Sequence, residues 1–130
     1  MQLQKDLNVD LSGKTVILAS DDYIPYPYIK NFIPYIKNSN IVILANPTKY
    51  YRYTNILLNS FGIKNTKFVD IKNIENYYNN IFILFFGKKG NDDKDYLLKV
   101  ARYLLINEQE VVALSEKGID IDEDSPVYRS

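Results

Sequence analysis

The sequence predicts a single α/β domain: a three-layer, doubly wound sheet of five mostly parallel strands. Three observations predict it. Short apolar runs recur along the chain, and they are continuously apolar, as strands covered on both faces are. Stretches between them repeat apolar residues at the i, i+3, i+4, i+7 spacing of one helix face. The length, 130 residues, suits one domain with a core of its own.

The clear strand candidates are Thr15–Ala19, Ile41–Ala45, Ile81–Phe86 and Val111–Leu114, with a weaker run at Lys67–Ile71. Ile29, Phe32, Ile33 and Ile36 mark the first helix, in which Pro34 should introduce a kink or confine the regular part to one side. Asn46-Pro47 reads as a cap and first turn for the second helix, with Tyr50, Leu57, Leu58 and Phe61 on its buried face and Gly62 as its left-handed stop. A short helix over 73–79 would pack Ile74 and Tyr78. Asn91 caps the last helix, which buries Leu97, Val100, Ala101, Leu104 and Leu105. Asp92, Asp93 and Asp95 in its first turn complement the macrodipole. This alternation of strand and helix gives right-handed crossovers and a doubly wound sheet. Strand order 3-2-1-4-5 (Rossmann-like) and order 2-1-3-4-5 (flavodoxin-like) both fit. Residues 1–13 form a lead-in ending in a Ser12-Gly13 turn, and 116–130 an acidic tail.

Composition excludes several chemistries. Cysteine and histidine are absent, so a disulfide framework, a Cys/His zinc site and a His-based catalytic triad or dyad are all excluded. A bound metal would be a hard cation on carboxylates, and a general acid or base would be Asp, Glu, Lys or Tyr. Lys plus Arg and Asp plus Glu both number 16, which leaves no net field to draw polyanions or membranes. The N-terminal residues lack the apolar core of a signal peptide, and no apolar run is long enough to span a bilayer. A cytoplasmic protein without a membrane partner is expected. The abundance of Ile, Asn, Lys and Tyr follows AT-rich codons.

In folds of this kind ligands bind beyond the carboxyl ends of the strands. After the first strand, Ala19-Ser20-Asp21-Asp22-Tyr23 has no glycine, and a P-loop is also absent, so NAD, FAD and P-loop nucleotides are not expected as cofactors. Gly87-Lys88-Lys89-Gly90-Asn91 looks like an anion loop, but the aspartates behind it oppose a phosphate. The better constellation is acidic. Asp21, Asp22 and Asp70 each end a strand, and if those strands are neighbours their carboxylates converge on a Mg²⁺ site. Otherwise they start loops and cap helices.

Asp21 and Asp22 after strand one, Asp70 after strand three and Lys117 after strand five give the chain a resemblance to response-regulator receiver domains. The resemblance implies a Mg²⁺-binding acidic pair, a phospho-accepting Asp70 and a phosphate-binding Lys117. The chain departs from the family where Gly87 replaces the Ser or Thr after strand four, where Gly118 follows Lys117, and where the fifth helix has no candidate.

Tyrosine is the other outlier, with 12 residues. Lys49, Tyr50, Tyr51, Arg52 and Tyr53 interleave basic and aromatic groups as single-stranded nucleic-acid platforms do. Zero net charge favours the plainer reading of half-buried rings with wet hydroxyls, or of a protein interface. The expected function is therefore a non-catalytic binding or interaction module, with a protein partner or self-association as a homodimer. A Mg²⁺-dependent receiver-like or phosphoryl-transfer site is the alternative, and nucleic-acid binding through 49–53 the third.

Overall fold

A computed structural model describes residues 11–45, 49–87 and 92–115. In chain order the elements are β1 (Thr15–Ser20), α1 (Tyr26–Ile36), β2 (Asn40–Leu44), α2 (Tyr51–Ser60), β3 (Lys67–Val69), a 3-10 helix (Ile71–Tyr77), β4 (Ile81–Phe86), α3 (Asp92–Ile106) and β5 (Glu110–Ser115). The five strands form one sheet in the order β3-β2-β1-β4-β5, with every adjacent pair parallel. The sheet is thus all-parallel, in the first of the two predicted orders.

The strands read as unbroken apolar runs because both faces are covered. Alternate residues of each strand enter separate cores. Val16, Leu18, Ile41, Ile43, Ile83 and Phe85 pack under α1 and α2. Ile17, Val42, Phe82, Leu84, Val111 and Ala113 face the 3-10 helix and α3. The predicted helix faces are the buried ones: Ile29, Phe32, Ile33 and Ile36 on α1, Leu57 and Leu58 on α2, and Leu97, Val100, Ala101 and Leu104 on α3. Leu105 is only partly buried against the same core.

Several boundaries differ from the sequence reading. α1 runs from Tyr26 through Pro34 to Ile36. Pro34 lies in the last turn, where the bond it removes is one of the helix's final ones. β3 ends at Val69, two residues short of the expected strand, because Asp70 turns the chain by capping the 3-10 helix. The helix expected at 73–79 forms two residues earlier and as a 3-10 turn. Gly62 ends the turn after α2 with φ of 87°, as expected of a left-handed stop. Leu11, placed in the lead-in, is 1% exposed and belongs to the core. Gly13 follows it with φ of 77°, and its N–H donates to the Asn38 carbonyl at 2.9 Å. α2 starts at Tyr51 with Tyr50 in its N-cap position, four residues beyond the cap expected at Asn46. Asn46 itself, the Asn91 cap, Lys117 and the acidic tail lie outside the described residues. No helix among the described residues is long and apolar enough to cross a membrane.

Candidate functional site

The order β3-β2-β1-β4-β5 makes the seam between β1 and β4 the point where winding reverses, and this is where a doubly wound sheet opens a crevice. Ser20, Asp21 and Asp22 leave β1 at that seam. The Ser20 hydroxyl donates to the Asp22 carbonyl and accepts the Asp22 N–H at 3.2 Å, which curls the chain over the strand end. The Tyr23 N–H then donates to Asp22 Oδ1 at 2.8 Å. Asp21 is turned inward, with 1% of its surface exposed. Its Oδ1 accepts the Gly87 N–H at 2.6 Å, while its Oδ2 is buried with no hydrogen-bond partner among the described residues. Burial pushes the Asp21 carboxyl up to about 6, against the opposing pull of the Gly87 N–H and the Lys94 ammonium. Lys94 Nζ itself donates to the Gly87 carbonyl at 3.2 Å.

Gly87 is required here by space. A Cβ at that position would lie 2.6 Å from both Cβ and Oδ2 of Asp22. The glycine that departs from the receiver pattern is thus the residue that lets the β1 and β4 loops meet. The crevice they leave, walled by Ser20, Asp22, Tyr23, Pro25 and Phe86, has a volume of about 10 Å³. That is room for roughly one water.

Asp70 does not join this pair. It sits on β3 at the edge of the sheet, with β2 between it and β1. Its carboxylate accepts the Lys72 N–H at 3.0 Å as the cap of the 3-10 helix. A receiver arrangement needs the flavodoxin-like order, in which strand three lies beside strand one. The order found separates the three aspartates that the sequence reading brought together. Among the described residues no group of three or more carboxylates is placed to hold a metal ion. Asp21 and Asp22 remain adjacent.

The segment 49–53 is divided between core and surface. Tyr50 is 8% exposed and Tyr53 half-buried, and both rings lie edge-on against Tyr23, at centroid distances of 5.0 and 4.8 Å. Burial, followed by the nearby carboxylates of Asp93 and Asp22, raises the Tyr50 phenol above its ordinary value. Tyr51 meets Phe68 of β3 edge-on at 5.3 Å. The Arg52 guanidinium lies 5.6 Å from the Tyr51 ring and its Nε donates to the Tyr51 hydroxyl at 3.1 Å. Lys49 Nζ stands 5.7 Å over Tyr50. The rings that reach water are others: Tyr23 at 55%, Tyr26 at 52% and Phe68 at 46% exposure, and Tyr103 of α3 at 43% on the opposite face. Tyr26 stacks on Phe61, at the end of α2, at 5.2 Å. Tyr23, Tyr26 and Phe68 therefore rest on aromatic side chains of α2 or of the residues just flanking it.

Sequence reasoning missed Phe68, and it missed how charge is distributed along the chain. Between Asp22 and Asp70 the chain contains no Asp or Glu at all, yet it carries Lys30, Lys37, Lys49, Arg52, Lys64 and Lys67. Every one of these six cations is exposed. This stretch builds α1, α2, β2 and the edge strand β3, and its cations do not share one face: Lys67, in register with Val42, lies on the α3 side of the sheet, while Phe68, in register with Ile43, lies on the α1–α2 side. The whole-chain charge of zero conceals the uneven distribution, because the compensating carboxylates lie elsewhere in the sequence. A windowed count of charge would have found it.

The opposite face holds a groove of about 420 Å³ between the 3-10 helix and α3, walled by Ile71, Ile74, Glu75, Tyr96, Lys99 and Tyr103. The Tyr103 hydroxyl donates to Glu75 Oε1 across it at 2.7 Å. No protein-family model matches the chain, and no curated protein or solved structure matches it.

Proposed function

We propose that this chain is a non-catalytic binding module, and that its recognition surface is the aromatic face of α1, α2 and β3. One observation carries the reading: three half-exposed rings, Tyr23, Tyr26 and Phe68, are each braced by a second ring on or beside α2, and the exposed Arg52 stands at one of those pairs. Braced rings lose little freedom on binding, so the contact area they offer comes at a small entropic cost. Large exposed apolar groups gathered on one face mark interaction sites, while the same groups scattered singly do not. Ile56, on α2 and 67% exposed, adds to this patch.

A panel of partners tests the reading by thermal shift, since a ligand held by the folded state raises its melting temperature with saturation. The panel contains oligonucleotides, heparin, acidic peptides, mononucleotides and Mg²⁺, with light scattering to detect a second copy. A partner whose shift disappears in Arg52→Glu/Phe68→Ala supports the module. Shifts from mononucleotides or Mg²⁺ that survive those substitutions contradict it.

A second reading is favoured by the unpaired, buried Oδ2 of Asp21. On this reading Asp21 and Asp22 hold a Mg²⁺ ion at the β1–β4 seam for phosphoryl chemistry, without Asp70. Lys94 and the Gly87 N–H already supply positive charge there, which weakens the attraction for a cation. Amide NMR with Mg²⁺ and beryllofluoride tests it through the resonances of residues 20–23 and 87.

A further inference from the structure

We infer that this chain pairs with a second copy of itself through β3, the two edge strands running antiparallel about a twofold axis at Phe68. This rests on the reading of the α1–α2–β3 face as the recognition surface and names its partner.

The backbone of β3 is left half used. Among the described residues β3 pairs only with β2, with Lys67, Phe68 and Val69 in register with Val42, Ile43 and Leu44. The Ala45 N–H donates to the Val69 carbonyl at 2.8 Å, so Val69 turns its backbone groups toward β2. This direction alternates along a strand, so Lys67 does the same, while the Phe68 N–H and C=O point out of the sheet. The opposite edge differs, since Val111, Val112, Ala113 and Leu114 of β5 are all buried. Phe68 is 46% exposed, and its ring meets Tyr51 on the α1–α2 side. Edge strands are commonly protected by shortness and by lysine, and β3 has both, with three residues and Lys67. Lys67 lies on the α3 side of the sheet, however, and leaves the Phe68 ring uncovered.

An antiparallel twin meets both needs of this residue at once. A twofold axis at Phe68 sets the residue opposite its own copy, where the pair exchanges both N–H···O=C bonds. Directly opposed side chains share one face of a sheet, so the two rings meet on the α1–α2 side as a cross-strand aromatic pair. α2 overlies this edge through Tyr51, which meets Phe68, and Asn55, whose side chain accepts the Thr66 hydroxyl. With paired strands about 4.8 Å apart, the two α2 helices come within the roughly 10 Å at which helices pack. A three-residue strand alone falls short of the roughly 800 Å² per copy of a stable dimer, and the flank of α2 is what extends the contact. A foreign peptide would satisfy the two hydrogen bonds but brings no helix to lie beside α2. Charge works mildly against the pairing: the exposed Arg52 and Lys67 of one copy approach those of the other, with the Asp70 carboxylate at the strand end as a partial offset. Added salt should therefore tighten the dimer. The contact closes on itself, so assembly stops at two copies.

Sedimentation equilibrium of the full chain over about 1 to about 500 μM tests this, with hydrogen exchange read at single amides. A dimer should form and tighten as salt rises from about 50 to about 300 mM. The Phe68 amide should be protected only where the dimer is populated, while that of Val69, bonded within the sheet, is protected throughout. Phe68→Lys should raise the dissociation constant about tenfold or more. Phe68→Pro removes the outward N–H at a position where an edge strand accepts proline, and it should do the same. Circular dichroism checks that each variant folds, and Phe68→Ala replaces the proline variant if that one does not. A strict monomer at about 500 μM overturns the pairing and leaves the recognition face in place. A dimer unchanged by Phe68→Lys, with the Phe68 amide exchanging freely, also overturns the pairing. If the amides that dimer protects lie in the groove between the 3-10 helix and α3, the recognition-face reading falls with it.

Discussion

Asp21 and Gly87 are 66 residues apart and are joined across the β1–β4 seam by a 2.6 Å hydrogen bond from the glycine N–H to the aspartate Oδ1. The contact fastens the two halves of the sheet where the winding reverses. It also leaves a buried carboxyl whose second oxygen has no partner among the described residues. Burial raises this group from 3.8 to about 6, while Gly87 and Lys94 lower it and Asp22 raises it further.

A pH dependence of stability follows. Between about 4 and 6 the folded chain holds a proton on Asp21 that the unfolded chain has already released. Folding therefore loses stability as pH rises through that window, and the loss is complete above it. At 1.36 kcal/mol per pH unit the full effect is about 3 kcal/mol. Urea denaturation of wild type and Asp21→Asn from pH 4 to 7.5 reads it. The substitution should gain on wild type by about 2–3 kcal/mol across the range. A constant difference between the two proteins would remove the buried-carboxyl account.

Gly87→Ala places a methyl group 2.6 Å from Asp22 Cβ. The expected loss is about 1–3 kcal/mol, the usual cost of overpacking a tight contact. Asp22→Gly should relieve most of it, so the two substitutions couple strongly in a double-mutant cycle. Additive losses would mean that the loops do not meet as described.

Tyr23→Ala should cost about 1–2 kcal/mol although the ring is 55% exposed. Its buried half makes edge contacts with Tyr50 and Tyr53, and aromatic pairs of this kind contribute about 0.5–1.5 kcal/mol each. Chemical denaturation gives the value. A loss within 0.5 kcal/mol would show the ring to be an ordinary surface residue.

Much of the architecture was legible because burial on both faces writes itself into a strand. Ile17, Leu18, Ile43 and Phe82 face opposite cores, and all must be apolar. Strand order was not legible. It depends on which way the β3–β4 crossover passes, and no local residue pattern records that choice. The candidate metal site depended on the order, so Asp70 was grouped with Asp21 and Asp22 although β2 separates them. Gly87 could be read as a turn but not as a packing requirement, since the atom it must avoid is 65 positions away, on Asp22. Leu11 lay beyond any periodic segment, so its burial was invisible. Tyr50 and Phe68 invert the expected pattern: the tyrosine of the basic cluster is buried, while the phenylalanine of the edge strand is open to water. Which face of a half-buried ring meets solvent depends on tertiary neighbours, and sequence alone does not supply them.

The proposed recognition surface is the α1–α2–β3 face and not the β1–β4 seam. Amide chemical-shift mapping of the full chain, with the panel member that raises its melting temperature, decides between them. Shifts are expected at Tyr26, Arg52 and Phe68, with Ala113 and Leu104 on the far side unmoved. Shifts confined to Ser20, Asp21, Asp22 and Gly87, or to the groove between the 3-10 helix and α3, would contradict it.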